Sequence, residues 1–221
     1  MSDLDFLMEI VTIVGWNQID QDWIRYINLE PEGCFIAEID SEPVGTATTI
    51  CYEDKIGWIG MVIVKPSHRG KGIGLKLLHG CIGYLKTRVE TIKLDATQMG
   101  EPLYLKLGFK PEYTVTRLEV DISAGNGPID SYQNDSLSPI ISFDEKIFGA
   151  SREHVLEQLF REYPDFVVLK KNDNDLFGYV SANQGQHHWH IGPLVANNEK
   201  IATLLLKEIL EKLSGKPDRR G

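Results

Sequence analysis

This 221-residue chain has only three cysteines, and Cys34, Cys51 and Cys81 stand far apart. An odd, scattered set builds neither a disulfide framework nor a zinc knuckle. Cationic side chains are also scarce: 23 Lys and Arg face 32 Asp and Glu, a formal net charge of −9. Phosphate backbones are held by clustered Lys and Arg, so nucleic acid is excluded as the main partner. A cationic substrate such as an amine suits this balance better than a polyanion. No apolar run approaches the length of a bilayer-spanning helix, and no charged, apolar, small-residue leader opens the sequence. The sequence therefore predicts a cytoplasmic protein with no membrane partner. What is present, 42% hydrophobic and 25% charged residues, is ordinary for a globular protein. The length allows one large domain or two small ones.

Helical spacing comes first. Leu4, Leu7, Met8, Val11 and Val14 recur behind Ser2 and Asp3, and Gly15 ends the pattern. Asp20 to Leu29 reads as a second helix with Trp23, Ile24 and Ile27 on one side. The period then changes. Cys34 to Ile39, Val44 to Tyr52 and Ile56 to Val64 are rich in β-branched and aromatic residues and are separated by short turns. They read as three antiparallel strands.

The third strand runs into Lys65-Pro66-Ser67-His68-Arg69-Gly70-Lys71-Gly72-Ile73-Gly74, and a helical stripe from Ile73 to Leu85 follows at once. Helix N-termini present unpaired N–H groups and a positive dipole end, and glycines let an anion approach the main chain. With Arg69 and Lys71 adding charge, the segment predicts a phosphate cradle. A P-loop would need Lys and then Ser or Thr after its glycines, and Leu75 follows Gly74. A dinucleotide fingerprint would need a third glycine at position 75 and a βαβ setting. The spacing left is Arg-x-x-Gly-x-Gly, met by Arg69, Gly72 and Gly74. Thr91 to Ala96 then reads as a strand parallel to the third, reached by a right-handed crossover. Pro102 to Leu107 reads as a short helix closed by Gly108.

The Arg-x-x-Gly-x-Gly loop, its lead-in Val64-Lys65-Pro66 and the later string Tyr104-Leu105-Lys106-Leu107-Gly108-Phe109 resemble the two signatures of the GNAT superfamily of acyl-CoA N-acyltransferases. Gly15-Trp16-Asn17, Gly57-Trp58-Ile59-Gly60 and Leu94-Asp95-Ala96-Thr97 are similar to a bacterial subgroup that carries a second GNAT-like domain. The resemblance implies an α/β fold with a mixed sheet, acetyl-CoA as cosubstrate, no metal, and acetyl transfer to an amine by direct attack. It places the pantetheine arm along Val62, Ile63 and Val64, and the pyrophosphate on the N–H groups of Gly70, Lys71, Gly72, Ile73 and Gly74 beside Arg69. Thr97 stands about where relatives have a cofactor-contacting Asn. Tyr104 takes the position of the general acid that protonates the leaving thiolate. For the base, Ile56 to Val64 offers no acidic or His side chain. Asp95 is the first choice, with Glu53, Asp54, Glu38 or a water chain as alternatives. The implied acceptor is a small amine or a protein N-terminus or lysine. A CoA-binding sensor without turnover and a protein-interaction module are the competing classes. The strand that usually opens this fold is absent.

Residues 123–142 are rich in Gly, Asn, Asp, Ser and Pro and read as a linker between a catalytic domain at 1–122 and a partial GNAT-like domain at 143–221. In the second domain, helix, strand, strand, strand and helix repeat the first half's order. Asn197-Asn198-Glu199-Lys200 replaces the glycine loop. Missing its last strands, this half leaves an open sheet edge and predicts a homodimer. His187, His188 and His190 have no ligand-spaced carboxylate or thiol nearby, so they read as a polar strand face in which His188 and His190 share a side. Asn134-Asp135-Ser136 matches a glycosylation sequon with no meaning in a cytoplasmic protein.

Overall fold

The computed structural model describes residues 3–120, 137–172 and 175–214. They divide into two compact units, Met1–Ile13 with Tyr26–Asp121 and Val14–Arg25 with Ile122–Gly221.

In the first unit α1 (Asp3–Ile13) and the last turn of α2 (Asp20–Leu29) precede a four-stranded sheet. Strands β1 (Phe35–Ile39), β2 (Glu42–Tyr52) and β3 (Ile56–Val64) are antiparallel neighbours. Helix α3 (Ile73–Leu85) then crosses over to β4 (Thr91–Leu94), which lies parallel to β3 and completes the order β1-β2-β3-β4. The short α4 (Glu101–Lys106) follows. Ile73, Leu77, Leu78, Cys81 and Leu85 of α3 pack on Val44, Ala47 and Ile59 of the sheet, as the stripe in the sequence requires. A Cβ on Gly57 would come within 2.8 Å of Leu85, so β3 meets this helix through a bare glycine.

The second unit holds α5 (Ser138–Phe148), α6 (Glu153–Glu162), an antiparallel sheet β5 (Val167–Lys171), β6 (Leu176–Gln184), β7 (Trp189–Ala196), and α7 (Glu199–Leu213). Alternating strand residues feed two cores. Val167 and Tyr179 join Ile140, Leu156, Leu159 and Phe160 of α5 and α6, while Val168, Val180 and Ala182 join Leu205, Ile209 and Leu213 of α7. Asp144, 1% exposed, ties the first core together. Its carboxylate accepts from Arg152 Nε at 2.8 Å and from the Tyr179 hydroxyl at 2.5 Å. Burial, followed by the Asp144 charge, holds the Tyr179 phenol far above its ordinary pKa.

The segment Gly15-Trp16-Asn17 belongs to this second unit. Asn17 Oδ1 accepts from the N–H groups of His187 (2.8 Å) and His188 (3.0 Å), and Nδ2 donates to the His188 carbonyl at 2.9 Å. The fit is tight: a Cβ on Gly185 would stand 2.1 Å from Asn17 Nδ2.

Two expectations change. Of the linker and the sequon, residues 123–136 lie outside the described residues, but Ser138 to Ser142 begin α5. Proline is tolerated in a helix's first turn, where its missing N–H costs nothing, and Ile140, 2% exposed, anchors the helix. His187 and His188 lie in the turn before β7 rather than on it, so His188 and His190 do not share a strand face. Asn17 takes the main-chain N–H groups that a longer strand would have used.

Candidate active site

The β3–β4 ladder runs from Ile56↔Thr91 to Ile59↔Leu94 and stops, while β3 continues to Val64, still paired with β2 on its other edge. From Gly60 onward, β3 turns main-chain groups toward a gap. At the head of that gap the strand bulges: Thr48 pairs with Gly60 and Thr46 with Ile63, so Ala47 faces two residues, Met61 and Val62. Met61 has φ +52°, a left-handed conformation unusual for a side chain of its size. The extra residue swings Val62 and Val64 onto the α3 core, where Gly57 and Ile59 already point. Val62, Ile63 and Val64 therefore lie beyond the last β3–β4 pair.

Beyond Val64 the loop is held from both sides. Lys65 N–H donates to the Val44 carbonyl at 2.8 Å, and Lys65 Nζ lies 3.3 Å from Glu9 and 5.3 Å above the Phe6 ring. Arg69 Nε donates to the Val64 carbonyl at 3.1 Å, folding the loop back over the strand end. Gly70 (φ +74°) and Gly72 (φ +79°) adopt left-handed conformations open to glycine at no cost. Gly72 caps α3 without a side-chain hydrogen bond, so the N–H groups of the first turn, including those of Ile73 and Gly74, meet no capping side chain. The loop, the helix dipole and Arg69 and Lys71 together fit a pyrophosphate.

A cavity of about 1060 Å³ adjoins β4, lined among others by Trp58, Leu94, Asp95, Tyr104, Phe109 and Tyr113. Both sequence-predicted catalytic residues reach it. Tyr104 is 9% exposed and meets Phe109 edge-on at 6.2 Å. Burial, with a smaller contribution from Cys81, raises its phenol above the usual 10, so the hydroxyl stays protonated and able to donate. Asp95 is exposed, and desolvation raises its carboxyl against the pull of Arg117. Thr97 is exposed, and its hydroxyl accepts from Gly100 N–H at 3.3 Å, opening α4. Burial, aided by Glu30 at Cys34 and Cys51, pushes the three thiols to about 11 for Cys34 and about 12 for Cys51 and Cys81. None is a thiolate nucleophile at neutral pH. Among the described residues no cluster of His, Cys, Asp and Glu fits a metal ion. No helix among them is long and apolar enough to cross a membrane.

Residues 7–109 match the sequence model of the acetyltransferase (GNAT) family, and residues 140–218 match that of an acetyltransferase (GNAT) domain. The chain belongs to the GNAT superfamily. It is an N-terminal GNAT domain followed by a second, GNAT-like domain, and the family's chemistry is acyl transfer. Over 196 residues it is 26% identical to the holothin acyltransferase of Pseudoalteromonas sp. (strain SANK 73390), covering 87% of this chain and 66% of that protein. It is 24% identical over 156 residues to YitH, an uncharacterized N-acetyltransferase of Bacillus subtilis (strain 168), covering 68% of this chain and 55% of the other. A crystal structure described as a candidate acetyltransferase from Pyrococcus horikoshii superposes with a TM-score of 0.72 at 25% identity, over 96% of this chain and 75% of that one. The chain thus spans 66% and 55% of the two relatives' lengths.

Sequence reasoning missed the bulge at Met61 and the polar pair Thr48 and Tyr26 that faces Gly60. No glycine marks the bulge, and the pair forms only when β2, β3 and α2 meet.

Proposed function

We propose that this protein moves an acetyl group from acetyl-CoA to an amine by direct attack. The observation that carries the reading is the gap opening between β3 and β4 at Gly60 and running into a glycine loop that starts α3. The two carry different parts of one cosubstrate. Exposed strand groups of Val62 to Val64 suit the amides of a pantetheine arm, and the loop N–H groups of Gly70 to Gly74 suit its pyrophosphate, with Arg69 and Lys71 adding charge. Thr97, at the far lip, is assigned a secondary hydrogen bond to the arm. When bound, acetyl-CoA supplies a thioester activated toward amines.

Tyr104, kept protonated by burial, donates its proton to the leaving thiolate. Asp95 is assigned to the acceptor, as an anion on the cavity wall that attracts and orients a cationic amine. The acceptor class is a small amine, and the name of the Pseudoalteromonas relative makes holothin the first to try. A protein N-terminus or lysine is the next class to test. The first unit is assigned catalysis within residues 1–122, in the cytoplasm. The β7 edge of the second unit's sheet is assigned to self-association as a homodimer, which light scattering over a wide concentration range tests.

One observation favours a CoA-binding sensor instead: β3 carries no carboxylate or imidazole facing the gap. Isothermal titration of acetyl-CoA into wild type and Gly72→Glu, followed by thiol release with an amine panel, separates the readings. Transfer predicts binding that the substitution abolishes, together with turnover. A sensor binds without turnover. No binding by wild type sinks both.

A further inference from the structure

The base missing from β3 has a substitute beside that strand, on β2 and α2. Gly60 is the first β3 residue beyond the last pair with β4, and it directly precedes the bulge at Met61. A Cβ built on it would meet two heavy atoms within 4 Å, and both are hydroxyl oxygens: Thr48 Oγ1 at 3.4 Å and the Tyr26 phenol at 3.6 Å. Thr48 is 1% exposed, and its hydroxyl hydrogen-bonds to no described residue. Ala47 sits in the α3 core, so its neighbour Thr48 points to the sheet's other side, where Tyr26 of α2 stands. A buried hydroxyl left unpaired costs stability, and with a second hydroxyl beside it an ordered water would have two polar partners.

We propose that Thr48 and Tyr26 hold a water molecule over Gly60 and that this water is the first acceptor of the amine's proton. This rests on the transfer reading above. The balance is complete without a protein carboxylate. The neutral amine nitrogen bonds to the acetyl carbon as the carbon–sulfur bond breaks, the thiolate takes the Tyr104 proton, and solvent returns a proton to Tyr104. The proton shed by the nitrogen passes to the water and, past the half-buried Tyr26, to solvent. Thr48 and Tyr26 are positioning residues. Gly60 is glycine because a side chain there would occupy the water's place.

Two variants and one structure test it. Thr48→Val keeps the β-branched shape and removes the hydroxyl. Gly60→Ala puts a methyl, at ordinary contact distance, where the water sits. Turnover is read with acetyl-CoA and the best acceptor among holothin, tryptamine and spermidine. Both variants are expected to lower kcat about tenfold or more, to move the acidic limb of its pH profile upward, and to leave acetyl-CoA affinity unchanged. A high-resolution crystal structure with CoA is expected to show one water bonded to both hydroxyls, lost in Thr48→Val. If Thr48 is merely structural, Thr48→Val raises the melting temperature and leaves kcat and its pH profile alone, which overturns the proposal. Wild-type density lacking that water also overturns it. Failure of wild type to bind acetyl-CoA fails the transfer reading itself, an outcome separable because neither variant enters it.

Discussion

The two units build their sheets around the same irregularity and then part company. In the first, Thr46 pairs with Ile63 and Thr48 with Gly60, leaving Ala47 opposite Met61 and Val62. In the second, Val180 pairs with Leu194 and Ala182 with Ile191, leaving Ser181 opposite Gly192 and Pro193. Each bulged strand leads into a helix across its sheet. The connections differ: Lys65 to Gly72 in the first, Asn197 and Asn198 alone in the second. The strand after the helix differs too, since β4 flanks β3 while β7 ends its sheet among the described residues. A bulge and a helix therefore make the scaffold of the site. The glycine loop and the parallel strand give it a ligand.

The largest test of that contrast replaces Lys65 to Gly72 with Asn-Asn, giving the first unit the second unit's connection. Acetyl-CoA affinity is expected to fall more than about a hundredfold, some 2.7 kcal/mol, with the circular dichroism spectrum retained. Affinity surviving the graft would move the anion site elsewhere.

Next in size is the second unit's own specialisation. Asp144→Ala leaves the Arg152 guanidinium and the buried Tyr179 hydroxyl without the carboxylate they share. A loss of about 3–5 kcal/mol in urea unfolding is expected, as for a broken buried pair. A loss under about 1 kcal/mol would mean that water reaches Arg152. Among the described residues of the first unit, the polar groups beside the α3 core are hydroxyls and thiols, those of Thr49, Tyr84, Tyr104, Cys51 and Cys81.

Tyr104→Phe comes third. Acetyl-CoA binding is expected to persist while kcat drops about a hundredfold, the lower end for a lost general acid. The phenol acts while protonated, and its folded pKa lies above 10, so the wild-type alkaline limb is not set by Tyr104 below pH 10. A wild-type limb near pH 8 that vanishes in Tyr104→Phe would contradict this.

Much of this was legible in the chain. Ile56–Val64 begins and ends where β-branched spacing places it, and α2 matches its expected range. Of the loop glycines that the sequence reads as an anion cradle, Gly70 and Gly72 take positive φ. What stayed hidden depends on residues distant in sequence. Met61 carries no local sign of a bulge, because the offset arises in pairing with β2. Asn17 stands in the sequence only as part of Gly15-Trp16-Asn17, yet its side chain closes a turn 170 residues away. Ser138-Pro139 looks like a linker until Ile140 finds a core.

The smallest effect isolates the point at which the two units diverge. Asn198 starts α7 with its Oδ1 accepting from Ile201 N–H at 3.0 Å, so one orphan donor of that helix is satisfied from within. Gly72 starts α3 with no side chain to do the same. A helix whose first turn is capped by its own residue has less to offer an anion; one left bare is less stable alone and gains when an anion arrives. Asn198→Ala should therefore cost about 1 kcal/mol in urea unfolding and leave acetyl-CoA affinity unchanged. Gly72→Asn places a residue that tolerates left-handed backbone at the bare position, and its amide oxygen competes for the same N–H groups. Affinity is expected to weaken about three- to tenfold while stability holds, well short of the loss from the loop graft. If Gly72→Asn leaves affinity untouched, the first-turn donors of α3 are not where the pyrophosphate rests.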